Sequence, residues 1–286
     1  MNLIIQATRA IAPAHLAHLA ELTRSTHHTP IAAHAYRFSA AHAHPEITDY
    51  CLEHHLDFGF VPQGKTLADF GLLVMDMDST LITIECIDEI ADMQGLKPQV
   101  ASITAAAMRG ELDFAESLRL RVALLAGLDE STLQRVYDER LELTAGAEIM
   151  LAKLKAHSIK TLLVSGGFVF FTERLQKRLG LDYAHANTLE IINGKLTGQV
   201  LGDIVDAQAK ADWLVRTRDE LHLESEQVIA VGDGANDLKM LAQAGVGIAF
   251  HAKPVVRSQA SYALNFVGLD GLINLFGDKP HHATTR

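Results

Sequence analysis

The sequence predicts an α/β fold: a doubly wound parallel sheet that carries a helical cap, preceded by a small α+β domain. From Leu72 onward, short apolar runs alternate with helical stretches, which is the pattern of a parallel sheet with helical crossovers. Three of these runs end directly in polar or glycine residues. The first 65 residues differ, because they hold nine of the fifteen histidines and none of these polar strand ends. We therefore expect a domain boundary near residue 65.

Length and composition bound the function classes. A chain of 286 residues predicts about two domains, and 48% hydrophobic residues exclude a disordered or disulfide-stapled chain. The net charge of −10 argues against nucleic acid or an anionic membrane as the main partner. Cys51 and Cys86 suit a reducing compartment, and no apolar run reaches about 18 residues. We expect a soluble cytoplasmic protein, and a homodimer is among the assemblies that the sequence permits.

The first domain, residues 1–65, is predicted to be a small α+β unit closed by the linker Pro62-Gln63-Gly64. Its elements are predicted at 3–8 (strand), 14–23 (helix), 32–39 (extended), after Pro45 (helix) and 58–61 (strand). Histidines are paired at 27–28, 42 and 44, and 54–55, but no cysteine or carboxylate set beside them gives a defined metal geometry. We expect these histidines to bind no metal.

The second domain, residues 66–286, is predicted to contain five sheet strands and a helical insertion. The strands fall at 72–74, 161–164, 184–187, 228–231 and 247–250. Ligands of open α/β sheets bind beyond the carboxyl ends of the strands, so the polar loops should converge on one site. Residues 87–143 lack strand-like segments and have helix breaks near Gly95, Gly110 and Gly127. We expect this insertion to cover the site.

The first strand of this domain runs into Asp76-Met77-Asp78-Ser79-Thr80. Two carboxylates two residues apart on an extended chain can point to the same side. Such a pair is costly without a cation, and hard oxygen ligands suit Mg²⁺. A carboxylate can also act as a nucleophile and form an aspartyl-phosphate. Taken alone, Asp76 and Asp78 are explained equally well as turn and helix-capping residues.

A second acidic cluster, Gly232-Asp233-Gly234-Ala235-Asn236-Asp237, follows the strand at 228–231. Its glycines allow the backbone to approach a ligand or an ion closely. The position of Asp233 directly after a buried strand favours metal binding over a turn role. Asp237 is also in place to cap the helix that follows.

Two further features suit a phosphate group. Ser165-Gly166-Gly167 lies between a strand and a helix, where exposed amides and the helix dipole favour anions. Lys210 is the candidate cation. Each signal is weak alone, because such glycine turns are common and an isolated lysine is usually a solvated surface charge. Both signals become significant because the three polar strand ends are expected to meet at one site.

In this order, the motifs DxDST, SGG, a lysine and GDGAND resemble those of the haloacid-dehalogenase phosphatase superfamily, and within it the phosphoserine phosphatases. The resemblance extends from about residue 67 to 275 and includes DMDSTLITIECIDEIAD, GELDFAESLRLRV, LLVSGGF, HANTLEIINGKLTG and VIAVGDGANDLKML. It implies an Mg²⁺-dependent enzyme that converts O-phospho-L-serine to L-serine and phosphate, the last step of serine biosynthesis.

The same resemblance implies roles for individual residues. Asp76 would be the nucleophile, and Asp78 would protonate the leaving oxygen and then activate the hydrolytic water. Mg²⁺ would be held by Asp76, Asp233 and the backbone carbonyl of Asp78, with Asp237 supporting it. The residues expected on the phosphate or substrate are Ser165, Gly166, Lys210 and Asn236.

Substrate choice is expected to depend on the helical insertion. The resemblance implies that Glu85 meets the ammonium group and that Arg121 clamps the carboxylate. Met108 and Phe114 match apolar lid positions over the substrate. Without the resemblance, Glu85 would be a solvated helix-entry charge and Arg121 would form a surface ion pair.

Two alternative functions stay open at this point. One is a phosphatase or phosphotransferase for another small phosphorylated amino acid or alcohol. The other is a non-catalytic phosphate- or serine-responsive binding module, against which the intact pair of Asp76 and Asp78 speaks. The first domain is similar in size and position to the ACT-like regulatory domains of some bacterial phosphoserine phosphatases, but it carries no motif that establishes this.

Overall fold

Two sheets organise the chain in the computed structural model, which describes residues 1–277; residues 278–286 of the predicted second domain lie outside the described part. The strands are β1 (Asn2–Gln6), β2 (His28–Ala32), β3 (Ala35–Phe38), β4 (Asp57–Val61), β5 (Leu72–Met75), β6 (Lys160–Phe168), β7 (Tyr183–Ile192), β8 (Lys195–Leu201), β9 (Val228–Gly232), β10 (Val246–Phe250) and β11 (Tyr262–Leu264). The helices are α1 (Pro13–Leu22), α2 (Ile47–Glu53), α3 (Cys86–Asp92), α4 (Lys97–Met108), α5 (Phe114–Ala123), α6 (Ser131–Glu139), α7 (Ala147–Ala156), α8 (Val169–Leu179), α9 (Ala207–Glu220), α10 (Leu238–Gln243), α11 (Pro254–Arg257) and α12 (Gly271–Phe276).

The N-terminal unit is a four-stranded antiparallel sheet with the order β2-β3-β1-β4 and two helices. Leu3 and Ile5 of β1 are buried with Leu19 of α1 and Ile47 of α2, so the helices cover one face of the sheet. The predicted α+β architecture is confirmed. The single extended stretch predicted at 32–39 is wrong in part, because the chain forms a hairpin of β2 and β3. Pro30 obscured β2 in the sequence, and the sheet tolerates it because β2 is an edge strand.

The opposite face of this sheet packs on the second domain. Ile4 of β1 and Val61 of β4 belong to the main core of the molecule. The buried carboxylate of Asp57 accepts backbone N–H bonds from three successive residues of the second domain. These donors and their N···O distances are Asn265 (2.6 Å), Phe266 (2.9 Å) and Val267 (2.9 Å). The two sheets are therefore joined by a buried interface as well as by the linker.

The larger sheet has the order β11-β10-β9-β5-β6-β7-β8, and its neighbouring strands run parallel except for the β7–β8 hairpin. Leu73 and Met75 of β5 enter one hydrophobic core and Leu72 and Val74 enter the other, so helices cover both faces. All five predicted strands are present, and the α/β fold class is confirmed. Strands β8 and β11 were missed. Strand β11 has only three residues, but the Asn-Gly turn at 193–194 before β8, with both φ positive, is a strong hairpin signal.

The helical cap is formed by α3, α4, α5 and α6. Its two connections to the core run side by side, because Ile82 forms an antiparallel bridge with Leu143. The Thr83 N–H also donates to the Glu142 carbonyl at 3.0 Å. The predicted helix breaks near Gly95, Gly110 and Gly127 fall between successive cap helices. No helix within residues 1–277 has the length and apolar character needed to cross a membrane.

Candidate active site

The loop after β5 places two carboxylates at the centre of the sheet edge. The Asp76 N–H donates to the Val231 carbonyl of β9, and its Oδ1 accepts the Met77 N–H at 2.7 Å. Asp78 is extended, and Ser79 turns the chain with a positive φ of 55°. The Asp78 Oδ1 accepts the Cys86 N–H at the start of α3, at 3.3 Å. Neighbouring strands and the first cap helix thus fix both carboxylates.

A buried lysine lies beneath this pair. The Lys210 Nζ is 2.7 Å from the Asp76 Oδ1 and 2.8 Å from the Asp237 Oδ1, and its side chain is 1% exposed. The other Asp237 oxygen accepts the Gly234 N–H at 3.0 Å. Asp237 thus closes the turn that precedes α10 and contacts Lys210, whereas the helix-capping role that the sequence left open for it is wrong, because its side chain makes no capping bond to α10.

Carboxylate oxygens of Asp76, Asp233 and Asp237 lie within 4.8 Å of one another. Asp233 Oδ1 also accepts a bond from the Thr80 hydroxyl at 3.3 Å. Three hard oxygen donors at this separation fit a divalent cation such as Mg²⁺. This cluster is the metal-ion candidate found among residues 1–277.

The charges of the cluster favour an added cation. Burial raises the pKa of Asp76 well above its ordinary value, and repulsion from Asp237 adds to this, while Lys210 opposes it. Burial raises the pKa of Asp233 to about 6, again with a contribution from Asp237. Burial alone would lower the pKa of Lys210, but attraction to Asp237 and Asp76 outweighs it and the net shift is upward. Three carboxylates surround one lysine, so Lys210 alone does not neutralise the cluster.

The carboxyl end of β6, where the pairing with β7 is interrupted between Val164 and Phe168, brings backbone amides to the same place. The Gly167 N–H donates to the Ser165 hydroxyl at 2.8 Å. A Cβ on Gly166 would lie 2.9 Å from the Phe114 ring, and a Cβ on Gly167 would lie 2.9 Å from the Asp78 Oδ2. Glycine at both positions lets the cap ring and the second aspartate approach the backbone.

Asn187 is a site residue that sequence reasoning missed. It is 1% exposed, its amide donates to the Gly166 carbonyl at 2.8 Å, and its carbonyl accepts the Val205 N–H at 2.8 Å. The amide therefore fixes the Gly166 loop to the segment before α9. Only its place within the HANTLEIINGKLTG segment could have drawn attention to it.

The cap and the core enclose a cavity of about 700 Å³. Lys210 and Asp237 lie below its surface. The other predicted site residues line it: Asp76, Asp78, Glu85, Met108, Phe114, Arg121, Ser165, Gly166, Asp233 and Asn236.

The predicted specificity residues enter from the cap. Glu85 accepts a bond from the Ser79 hydroxyl at 2.7 Å, and burial raises its pKa. Arg121 is partly buried on α5 and contacts the Ser117 carbonyl at 3.4 Å; burial lowers its pKa, and the carboxylates of Asp88 and Glu85 oppose that shift. The sequence-only alternative of a surface ion pair for Arg121 is wrong within the described residues, since no carboxylate lies within 4.0 Å of it there.

The cavity is also lined by polar residues to which the sequence motifs assigned no role. They are Asp88, Thr104, Ser117 and Lys253. Asp88 follows Glu85 by one helical turn, a spacing that could have indicated it. Thr104, Ser117 and Lys253 carry no local signal, because only the folded cap and the loop after β10 bring them to the cavity.

Comparisons with known proteins agree with this geometry. The model of haloacid dehalogenase-like hydrolases matches residues 73–242, and a domain of unknown function, DUF4072, matches residues 3–47. A phosphoserine phosphatase of Albidiferax ferrireducens is 51% identical over 223 residues, which cover 76% of this chain and 94% of that protein. The chain belongs to the phosphoserine phosphatase family of haloacid dehalogenase-like hydrolases.

Solved structures of this superfamily extend the similarity to the N-terminal domain. A HAD-family hydrolase of Salmonella enterica serovar Typhi has a TM-score of 0.88 at 36% identity and covers 97% of this chain and 99% of its own. A probable phosphoserine phosphatase of Vibrio cholerae, in unliganded form, has a TM-score of 0.85 at 40% identity and covers 96% of this chain and 86% of its own. The two-domain arrangement thus occurs in other hydrolases of the superfamily.

Proposed function

We propose that this protein is an Mg²⁺-dependent phosphoserine phosphatase, which hydrolyses O-phospho-L-serine to L-serine and phosphate in the last step of serine biosynthesis in the cytoplasm. One observation carries the proposal. The same cavity holds the aspartate pair at its floor and both an anionic and a cationic side chain, Glu85 and Arg121, on its wall. A phosphorylated amino acid carries a phosphate, an ammonium and a carboxylate group, which the aspartate pair, Glu85 and Arg121 match in turn.

Asp76 is the nucleophile in this proposal. Met77 and Lys210 both contact its Oδ1. Its Oδ2 has no hydrogen-bond partner among residues 1–277 and is available to attack phosphorus. The attack forms a bond from this oxygen to phosphorus and breaks the bond from phosphorus to the serine oxygen. Fixing one oxygen holds the other in a constant direction, which lowers the entropic cost of an in-line attack.

Asp78 supplies the proton that the departing serine oxygen needs. Burial raises its pKa to about 7, with repulsion from Glu85 as the next contribution. A carboxyl group with a pKa near neutrality can donate a proton to the leaving oxygen and then accept one from the water that hydrolyses the aspartyl-phosphate.

The floor of the cavity would neutralise the negative charge of the phosphoryl group. Asp76, Asp233, Asp237 and the carbonyl of Asp78 would hold Mg²⁺, which supplies positive charge to the phosphoryl oxygens when bound. Lys210 adds a buried positive charge from below. The remaining phosphate donors of the proposal are the Ser165 hydroxyl, the Gly166 amide and the Asn236 side chain.

The cap provides the amino-acid specificity. Glu85 would bind the ammonium group, and the planar guanidinium of Arg121 would bind the carboxylate through two parallel hydrogen bonds. Phe114 lies over Gly166, and Met108 is 69% exposed at the cavity rim, so both would cover the bound substrate.

The test compares hydrolysis of phosphoserine, phosphothreonine and phosphohomoserine by the wild-type protein in Mg²⁺. We expect phosphoserine to have the highest kcat/KM and Asp76→Asn to abolish turnover of all three. A higher kcat/KM for phosphothreonine or phosphohomoserine would mean that the substrate is that phosphorylated amino acid and not phosphoserine. Unchanged turnover in Asp76→Asn would refute the mechanism. If the wild-type protein hydrolysed none of the three esters, the alternative of a non-catalytic binding module would replace the proposal.

The specificity assignment has its own matched pair of variants on α5. Arg121→Ala should raise KM for phosphoserine at least about tenfold, since a buried charge pair with the carboxylate is lost. The KM for phosphoethanolamine, which lacks the carboxylate, should change little. Arg119→Ala, at an exposed position two residues earlier, is the control. Equal effects of Arg121→Ala on both esters would show that Arg121 does not read the carboxylate.

A further inference from the structure

Lys253 is a cationic residue of the cavity that lies outside the DxDST, SGG, lysine and GDGAND motifs. It directly precedes α11, in the loop that leaves the carboxyl end of β10. Strand β10 pairs with β9, and the loop after β9 carries Asp233 and Asn236. Lys253 therefore reaches the cavity from the β9 side, where Asn236 of the proposed phosphate site lies, whereas Arg121 reaches it from the cap.

The cavity wall carries an excess of negative charge, which a further cation beside the phosphate site would reduce. The described lining contains five carboxylates but only two cations, Arg121 and Lys253. The third cation of the site, Lys210, is below the surface and is engaged by Asp76 and Asp237. A divalent metal would still leave a carboxylate in excess, so an entering phosphate ester meets repulsion.

The ammonium group of Lys253 is available to an anion. Lys253 is exposed, and no carboxylate lies within 4.0 Å of its Nζ among residues 1–277. Met108 and Val255, exposed apolar side chains, line the same cavity. Apolar neighbours exclude water and strengthen an ionic contact made beside them.

The backbone that carries Lys253 is firmly held. The His251 N–H donates to the Leu264 carbonyl at 2.7 Å, and its Nε2 lies 2.9 Å from the Val267 carbonyl. On the other side, the Arg257 guanidinium donates to the Asn265 side chain at 3.1 Å. Contacts on both sides fix the backbone at Lys253, so anion binding need order only its side chain and not the loop.

We propose that Lys253 is a further substrate-binding residue, which contacts the phosphate group from the β9 side of the cavity. This inference deepens the proposed function and rests on it. Lys253 would lower KM for phosphate monoesters in general, whereas Arg121 reads the carboxylate of one of them.

The test compares Lys253→Met, Lys253→Arg and the control Lys177→Met, which removes the same charge from an exposed position outside the cavity. We expect Lys253→Met to raise KM about fivefold for both phosphoserine and phosphoethanolamine, with kcat within about twofold of wild type. Its kcat/KM should also depend less on ionic strength, because the removed charge attracts the substrate. Lys253→Arg and Lys177→Met should behave like wild type.

Three outcomes would overturn the inference: a KM equal to that of Lys177→Met, a rise for phosphoserine alone, or a fall in kcat without a change in KM. Failure of the proposed function would be visible separately, as a wild-type protein that does not prefer phosphoserine. In that case the affinity for inorganic phosphate, measured calorimetrically with Mg²⁺, still tests Lys253. We expect Lys253→Met to weaken it by the same factor, and an unchanged affinity would overturn the inference.

Discussion

Lys210 offers the sharpest test of the electrostatics of the site. Its ammonium group lies 2.7 Å from Asp76 and 2.8 Å from Asp237, and its side chain is 1% exposed. Lys210→Met keeps the length and the apolar stem but removes the charge. The variant leaves the buried Asp76 and Asp237, and the half-buried Asp233 beside them, without their internal cation.

The expected cost follows from this burial. Removing one partner of a buried ion pair typically costs about 3–5 kcal/mol, because the other charge is left uncompensated. Here the carboxylates can bind protons instead, so the loss should be near 3 kcal/mol at pH 7.5 and smaller at pH 5. Urea unfolding in a chelator at both pH values measures the difference. Added Mg²⁺ should restore part of the stability at pH 7.5, since it neutralises the same carboxylates.

Lys239→Met is the control, because Lys239 is exposed and contacts only the Gln208 side chain among residues 1–277. It should change the free energy of unfolding by less than about 0.5 kcal/mol. A Lys210→Met protein within about 1 kcal/mol of wild type in chelator at pH 7.5 would refute the argument that Lys210 compensates buried charge.

Two further predictions concern pH and the domain interface. Burial raises the pKa of Asp78 to about 7 and that of Asp233 to about 6, whereas unfolded aspartates titrate near 4. The metal-free folded protein therefore binds more protons than the unfolded chain between about pH 4 and 7, and its stability should fall as pH rises through that window. Mg²⁺ should accordingly raise Tm more at pH 8 than at pH 5; equal shifts would contradict this. Asp57→Ala should destabilise the protein by about 3 kcal/mol in urea, because three N–H groups at the domain interface lose their acceptor. Glu53→Ala, on the exposed end of α2, should cost less than about 0.5 kcal/mol, and similar values for both would count against the interface.

Much of the fold was accessible from the sequence because its signals are local. The strands around Leu72, Thr161 and Val228 are short apolar runs that end in polar residues, and the cap helices end near glycines. Strand β2 was missed because Pro30 is compatible only with a sheet edge, and being at an edge is a property of the assembled sheet.

The candidate site was also predictable only where its signals are local. The motifs at Asp76, Ser165 and Asp233 predict one site, since the carboxyl ends of neighbouring parallel strands meet at one sheet edge. The roles of these residues rest on the family resemblance and stay predictions, as do the ACT-like character and the cytoplasmic location. No local pattern indicated that Asn187 joins two loops.

By itself, the sequence determined five strands of the larger sheet, the helical cap and the chemical groups at three strand ends, because each depends on residues close together in the chain. Only the tertiary structure decided which residues from distant segments of the chain come together. Lys210 pairs with Asp76, Asp57 caps the loop at 265–267, and Lys253 enters the cavity, across separations of more than one hundred residues. Such contacts leave no periodic or compositional trace, since they depend on how the sheet, the cap and the N-terminal domain pack together.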